Sequence, residues 1–140
     1  MHAAHTHHRQ ARTRRGAAVV EFALAAPVLL LMVFGIVEFG RMLMVRNALT
    51  NASREGCRRA VLATTLDRNE VDAVVHSYMD PVVSSADVRI DVSPGSFAAV
   101  ASETQVTVDV SVNYADVSWL PVDSLVEGFE LHATTTQRRE

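Results

Sequence analysis

The chain has 140 residues, with 13 basic and 16 acidic side chains, a formal net charge of −3 and 49% hydrophobic content. That length allows one small domain with an appendage and excludes a large multidomain enzyme. The slightly acidic balance argues against nucleic-acid binding, and a single cysteine excludes both an internal disulfide framework and cysteine-rich zinc sites.

The chain opens on MHAAHTHHRQARTRR, which holds four Arg and four His, no acid and almost no large apolar side chain. Too little surface is available there to offset ordering entropy, so composition predicts a disordered leader. Its histidines, His2, His5, His7 and His8, read as a solvated run rather than a metal site. Next comes Ala17–Val37, 21 residues whose one charge is Glu21. As a helix this stretch covers about 32 Å, enough for a hydrocarbon core of about 30 Å. A cleaved secretory signal would be shorter, and this run continues through Pro27 to Phe34. A domain this small has no room to bury a helix that is apolar on all sides. A single membrane span is therefore the reading for residues 17–40. Arginines stand on both sides of it (Arg9, Arg12, Arg14 and Arg15 before; Arg41, Arg46, Arg54, Arg58 and Arg59 after), so counting them does not fix orientation.

Glu21 is out of place in such a run, because an ionised carboxylate there costs on the order of 2–3 kcal/mol. Snorkelling toward Arg14 or Arg15 is one account of it. Its setting, Arg14-Arg15-Gly16-Ala17-Ala18-Val19-Val20-Glu21-Phe22, resembles the processing site of type IV prepilins. That resemblance implies a cut by a prepilin peptidase on the cytoplasmic side, between Gly16 and Ala17. Ala17 would become the mature N-terminus, with an amine largely protonated at neutral pH. Glu21 could then pair with the Ala17 amine of a neighbouring subunit, and the alanines of this half would let helices approach closely.

Three further segments sharpen the match. Glu21-Phe22-Ala23-Leu24-Ala25-Ala26-Pro27, Gly35-Ile36-Val37-Glu38-Phe39-Gly40-Arg41 and Asn51-Ala52-Ser53-Arg54-Glu55-Gly56-Cys57-Arg58-Arg59-Ala60 resemble the TadE-like family. The resemblance implies a minor pilin-like (pseudopilin) component of a Tad/Flp pilus assembly or secretion system. Its implied partners are the membrane, a prepilin peptidase and other pilin-like subunits. Cys57 and the His-rich leader depart from the family pattern.

Beyond the span, residues 38–62 lack proline and place Met42, Val45, Leu49, Ala52 and Cys57 on one helical face. Pro27 predicts a kink in the span. A second amphipathic helix is expected after Asp67, carrying Val71, Val74, Val75, Tyr78 and Met79 and ended by Pro81. The period then becomes two: Val88, Ile90 and Val92, then Val106, Val108, Val110, Val112 and Tyr114, with a last strand at Leu131, Ala133 and Thr135. One-sided strands under helices predict an α+β, pilin-like fold with a small antiparallel sheet. Trp119 could anchor at a membrane interface or bind a partner, with core packing or loop anchoring the favoured reading. Cys57 could cross-link two subunits in an oxidising compartment, and reads first as a small buried apolar side chain.

His76 and His132 lack carboxylates at triad or ligand spacing, and the chain has no phosphate-binding glycine loop. The expectation is a non-enzymatic protein without cofactor, metal, nucleic-acid or small-molecule substrate. Its expected organisation is a cleavable basic cytoplasmic leader (1–16), a span in the inner membrane (17–40) and an extracytoplasmic domain (41–140). The competing class is a bitopic anchor that binds a partner through its outer domain without polymerising.

Overall fold

The computed structural model describes residues 8–62, 67–83, 88–95, 103–119 and 128–139. They form α1 (His8–Ala60), α2 (Arg68–Met79), β1 (Val88–Ser93), β2 (Gln105–Asn113), α3 (Tyr114–Val117) and β3 (Glu130–Arg138). The chain divides into two compact units, Met1–Val37 and Glu38–Glu140.

In the first unit α1 already begins at His8, inside the segment whose composition predicts disorder. The reason is cooperativity. Once a long apolar helix is nucleated, each added residue contributes a backbone bond, and Arg, Gln and Ala extend it readily. His2, His5 and His7, and the side chains of residues 8–15, lie outside the described residues. The helix continues through Pro27, whose missing N–H leaves the Ala23 carbonyl without its intrahelical donor. From Gly16 to Val37 every side chain is exposed apart from the half-buried Ala26.

The second unit has the core. Along α1 the buried residues are Val45, Leu49, Ala52, Ser53, Gly56, Cys57 and Ala60, a stripe with helical spacing. Asp67 starts α2 as its N-cap: its carboxylate accepts the Asn69 N–H at 3.1 Å. From α2, Val71, Val75 and Met79 are buried, whereas Val74 is half-buried and Tyr78 is exposed. The apolar arc of that helix is thus narrower than its sequence spacing suggests.

The three strands form an antiparallel sheet in the order β1-β2-β3. Val112 pairs with both Val88 and Leu131, so the apolar positions of all three strands fall on one face. Val106, Val108, Val110 and Val112 form the centre of that face. The other face is polar. There Thr107 and Thr136 share a hydroxyl–hydroxyl bond of 2.9 Å, Thr134 donates to Asp109, and Arg89 meets Glu130 at 3.2 Å. The architecture is α+β, as the change of period from 3.6 to 2 implies.

One element departs from the sequence expectation. Tyr114 does not continue β2 but opens the short helix α3, because the Asn113 side chain accepts the Ala115 N–H at 3.2 Å and caps it. Tyr114 stays buried, so the alternation predicts its burial correctly and its backbone wrongly.

At Gly56 the core leaves no room for a side chain. A β-carbon there would lie 2.8 Å from Val75 Cγ2 of α2 and 3.5 Å from Val108 Cγ1 of β2. Both neighbours are β-branched and stiff, so neither can swing away cheaply. Gly56→Ala should therefore lose about 1–3 kcal/mol to overpacking, against up to about 1 kcal/mol regained from helix propensity. A lowered chemical-denaturation midpoint checks this; a midpoint at or above that of the native chain would show that the junction has slack.

Candidate functional site

Gly16, Ala17, Glu21 and Phe22 all lie within α1, and all four are exposed. Nothing lies within 4 Å of the position a Gly16 β-carbon would take. Glycine is the weakest helix former after proline, so the helix is locally weakened at this point. Ala17 and Glu21 are one turn apart and share a face, and helical side chains lean toward the N-terminus. Glu21 therefore leans toward the turn that carries Ala17. Its other sequence-level partners, the Arg14 and Arg15 side chains, lie outside the described residues.

Around Glu21 the helix exposes apolar side chains on every side, including Phe22, Leu24, Leu31 and Ile36. Among the described residues this is the one helix long and apolar enough to cross a membrane. It is consistent with a single-pass membrane protein, because water would penalise that surface by about 25 cal/mol per Å².

The segment Asn51–Ala60 is a packing face rather than a ligand site. Ala52, Ser53, Gly56, Cys57 and Ala60 point into the core, and their small size lets α1 approach the sheet. Ser53 donates to the Thr50 carbonyl at 3.1 Å and shares a 2.9 Å bond with the Thr135 hydroxyl of β3. Cys57 Sγ lies 3.5 Å from the Val106 carbonyl, and burial pushes its thiol up from the ordinary range. A buried, protonated thiol is a packing residue, not a cross-linking one. On the outer side of the same helix, Arg58 binds Glu55 and Arg59 binds Glu70 of α2.

A second cluster is built on Glu38 and Arg41, just past the apolar run. Glu38 Oε1 accepts the Tyr114 hydroxyl at 2.7 Å, and the Ser118 side chain and the Trp119 backbone also hydrogen-bond to Glu38. One turn on, Arg41 Nε donates to the Val117 carbonyl and its Nη2 reaches the Val82 carbonyl at 3.5 Å. The Arg41 guanidinium also lies 4.8 Å from the centroid of the Trp119 ring. Two charges three residues apart thus hold α1 to α3 and to the turn that follows α2. The available signal was their i, i+3 spacing just after an apolar run, but nothing in the sequence pairs them with Tyr114 or Trp119. Trp119 itself is 69% exposed, which overturns the core half of its reading and leaves the loop anchor. The neighbouring Leu120 and Pro121 lie outside the described residues.

Residues 16–58 match the family model described as TadE-like protein, the family that the three N-terminal motifs resemble. No curated protein and no solved structure matched the chain.

Tyr114 offers an electrostatic check on the cluster. Burial, then the hydrogen bond to Glu38 and the charge of that carboxylate, push its phenol up to about 12 from the usual 10.0. Below about 10 the folded and unfolded states both keep the phenol proton, and between about 10 and about 12 only the unfolded state loses it. Stability from this group is therefore complete below pH 10 and falls as pH rises to about 12, by roughly 2–3 kcal/mol in all. Tyr114→Phe should abolish that alkaline loss. Equal alkaline slopes for the two proteins in denaturation across this window would contradict the buried Tyr114–Glu38 bond.

Proposed function

Taking the TadE-like segment at residues 16–58 as premise, we propose that this chain is a minor pilin-like (pseudopilin) component of a Tad/Flp-type pilus assembly or secretion machinery. It inserts in the inner membrane through the single helix of residues 17–40, with its N-terminus cytoplasmic and residues 41–140 outside. Its partners are a prepilin peptidase and other pilin-like subunits, and its work is assembly rather than catalysis.

The observation that carries this reading is Glu21. It is exposed one turn into an apolar helix, five residues after a glycine that follows a basic leader. A membrane anchor gains nothing from a carboxylate at that depth. A subunit that joins others does, because removal of residues 1–16 creates an amine at Ala17 for the carboxylate to meet. The amine of the same chain lies on the same face, one turn away, so the charge is compensated in the monomer and the pair can be exchanged for that of a neighbour. Loss of the four leader arginines also takes the formal side-chain charge from −3 to −7. Tad-type involvement is supported by the family match, and the pseudopilin role by the combination of leader, Gly16 and Glu21.

Mass spectrometry of membrane-purified protein should find Ala17 as the first residue. A chain that keeps Met1, or one that starts near Pro27, would refute the prepilin reading. Protease added to spheroplasts should also digest a C-terminal tag, and protection of the tag would reverse the proposed orientation.

Glu21→Gln keeps side-chain volume and removes the charge, so insertion should become easier by about 1–2 kcal/mol. The variant should insert and be cut like the native chain, yet fail to cross-link to partner pilins. Normal cross-linking by the variant would instead favour a bitopic anchor with a partner-binding outer domain.

A further inference from the structure

The chain has one tryptophan, and folding leaves its ring in the open. Trp119 is nevertheless held in place. The Arg41 guanidinium lies against its face, and Arg41 is fixed in turn by the Val117 and Val82 carbonyls. A second ring, Phe129, is half-exposed and meets Tyr114 edge-on, with centroids 5.6 Å apart at 83°. Tyr114 binds Glu38, and Glu38 binds the Trp119 backbone. Trp119 and Phe129 therefore belong to one connected cluster at the Glu38–Arg41 end of the second unit. Phe39, between those two charges, is exposed as well.

A folded domain has a physical reason to bury such rings, and this one presents them on anchored supports. What covers them is indicated by position along the chain. Arg41 follows Val37, the last residue of the apolar run, by four residues, which is about 6 Å of helical rise. The polar layer of a bilayer adds about 5–7 Å on each side of the hydrocarbon core. Trp119 is 4.8 Å from Arg41, so chain connectivity alone keeps the ring within reach of the headgroup layer once the apolar run spans the core. Tryptophan is enriched at that depth because its ring is apolar and its indole N–H is a donor. An arginine stacked on the ring suits the same layer, with its stem on apolar surface and its charge among polar groups.

We infer that this end of the outer domain docks on the lipid headgroup layer, with Trp119 and Phe129 seated in the interface and Arg41 stacked behind Trp119. The inference rests on the proposed membrane span and adds to it a second lipid contact made by the folded domain. The domain then rests on lipid rather than standing off it, and leaving the membrane requires withdrawing these rings as well as the apolar helix.

Because Trp119 is the sole tryptophan, its fluorescence in the full chain reads the site directly. The chain is reconstituted in vesicles of phosphatidylcholine and phosphatidylglycerol, with acyl chains brominated either near the headgroup or near the bilayer centre. Shallow bromine should quench Trp119 by roughly half, several-fold more than deep bromine, as expected for an interfacial ring. Aqueous iodide should quench it much less than in the urea-unfolded chain. Strong iodide quenching with no lipid quenching would place the ring in water and overturn the inference. Shielding from iodide without lipid quenching would mean that protein covers the ring, which also overturns it. Carbonate extraction of the same vesicles separates the two levels: a chain released into the extract refutes the membrane span, whereas a retained chain with lipid-blind Trp119 refutes the docking alone.

Discussion

A β-carbon at Gly56 would stand 2.8 Å from Val75, and the rest of the second unit is arranged around that missing atom. With no side chain there, α1 lies close enough for α2 and β2 to touch it at the same point. The neighbouring core positions on that turn are also small: Ala52, Ser53, Cys57 and Ala60. Larger residues would thicken the helix and separate it from the sheet, and the close-packed interior would lose contacts it cannot recover by relaxing. The valines of β2 supply the bulk that the helix gives up. Shape is thus divided between elements, with a narrow helix against a row of uniform branched side chains.

The same helix must also serve two environments. Between Gly16 and Val37 its surface is apolar all round and exposed, whereas from Val45 to Ala60 one face is buried in a protein core. Two glutamates mark this difference. Glu38, at the start of the second unit, is satisfied within the chain by Tyr114, Ser118 and the Trp119 backbone. For Glu21, among the described residues, the structure offers no hydrogen bond or ion pair. A carboxylate with three partners supports a fold. A carboxylate left without them in an apolar helix has to find compensation elsewhere, which is why the proposed function places its partner at an N-terminal amine.

Much of this was legible in the sequence, and the reasons are physical. Long periodic segments reveal themselves, so the two helices, the three strands and their one-sided burial follow from spacing at Val45–Cys57, Val71–Met79 and Val106–Val112. What escaped depends on contacts between residues far apart in the chain. Asn113 ends β2 through a side-chain bond two residues on, which a period-two reading of Tyr114 overrides. Gly56 looks like one residue of a motif until Val75 and Val108 are placed beside it. The core half of the Trp119 reading fails although most tryptophans are largely buried, and only the folded chain shows the ring exposed against Arg41. The leader misleads in the other direction: composition speaks for the isolated segment, while the apolar helix behind it extends order back to His8.

The arginines explain why charge counting could not orient the helix. Of the five that follow the apolar run within about twenty residues, at least three have duties in the folded domain. Arg41 holds two carbonyls and a ring, Arg58 binds Glu55, and Arg59 binds Glu70 across to α2. Their presence near the span is therefore accounted for by packing and needs no topological reason. Yet an inserting chain meets the membrane before these partners exist, so each still counts as a positive charge at that moment. A domain that uses arginine as its structural cation thus blurs the signal that would orient it. Charge counting is then silent, and the peptidase cut proposed after Gly16 reads the orientation out instead, because it needs the leader on the cytoplasmic side.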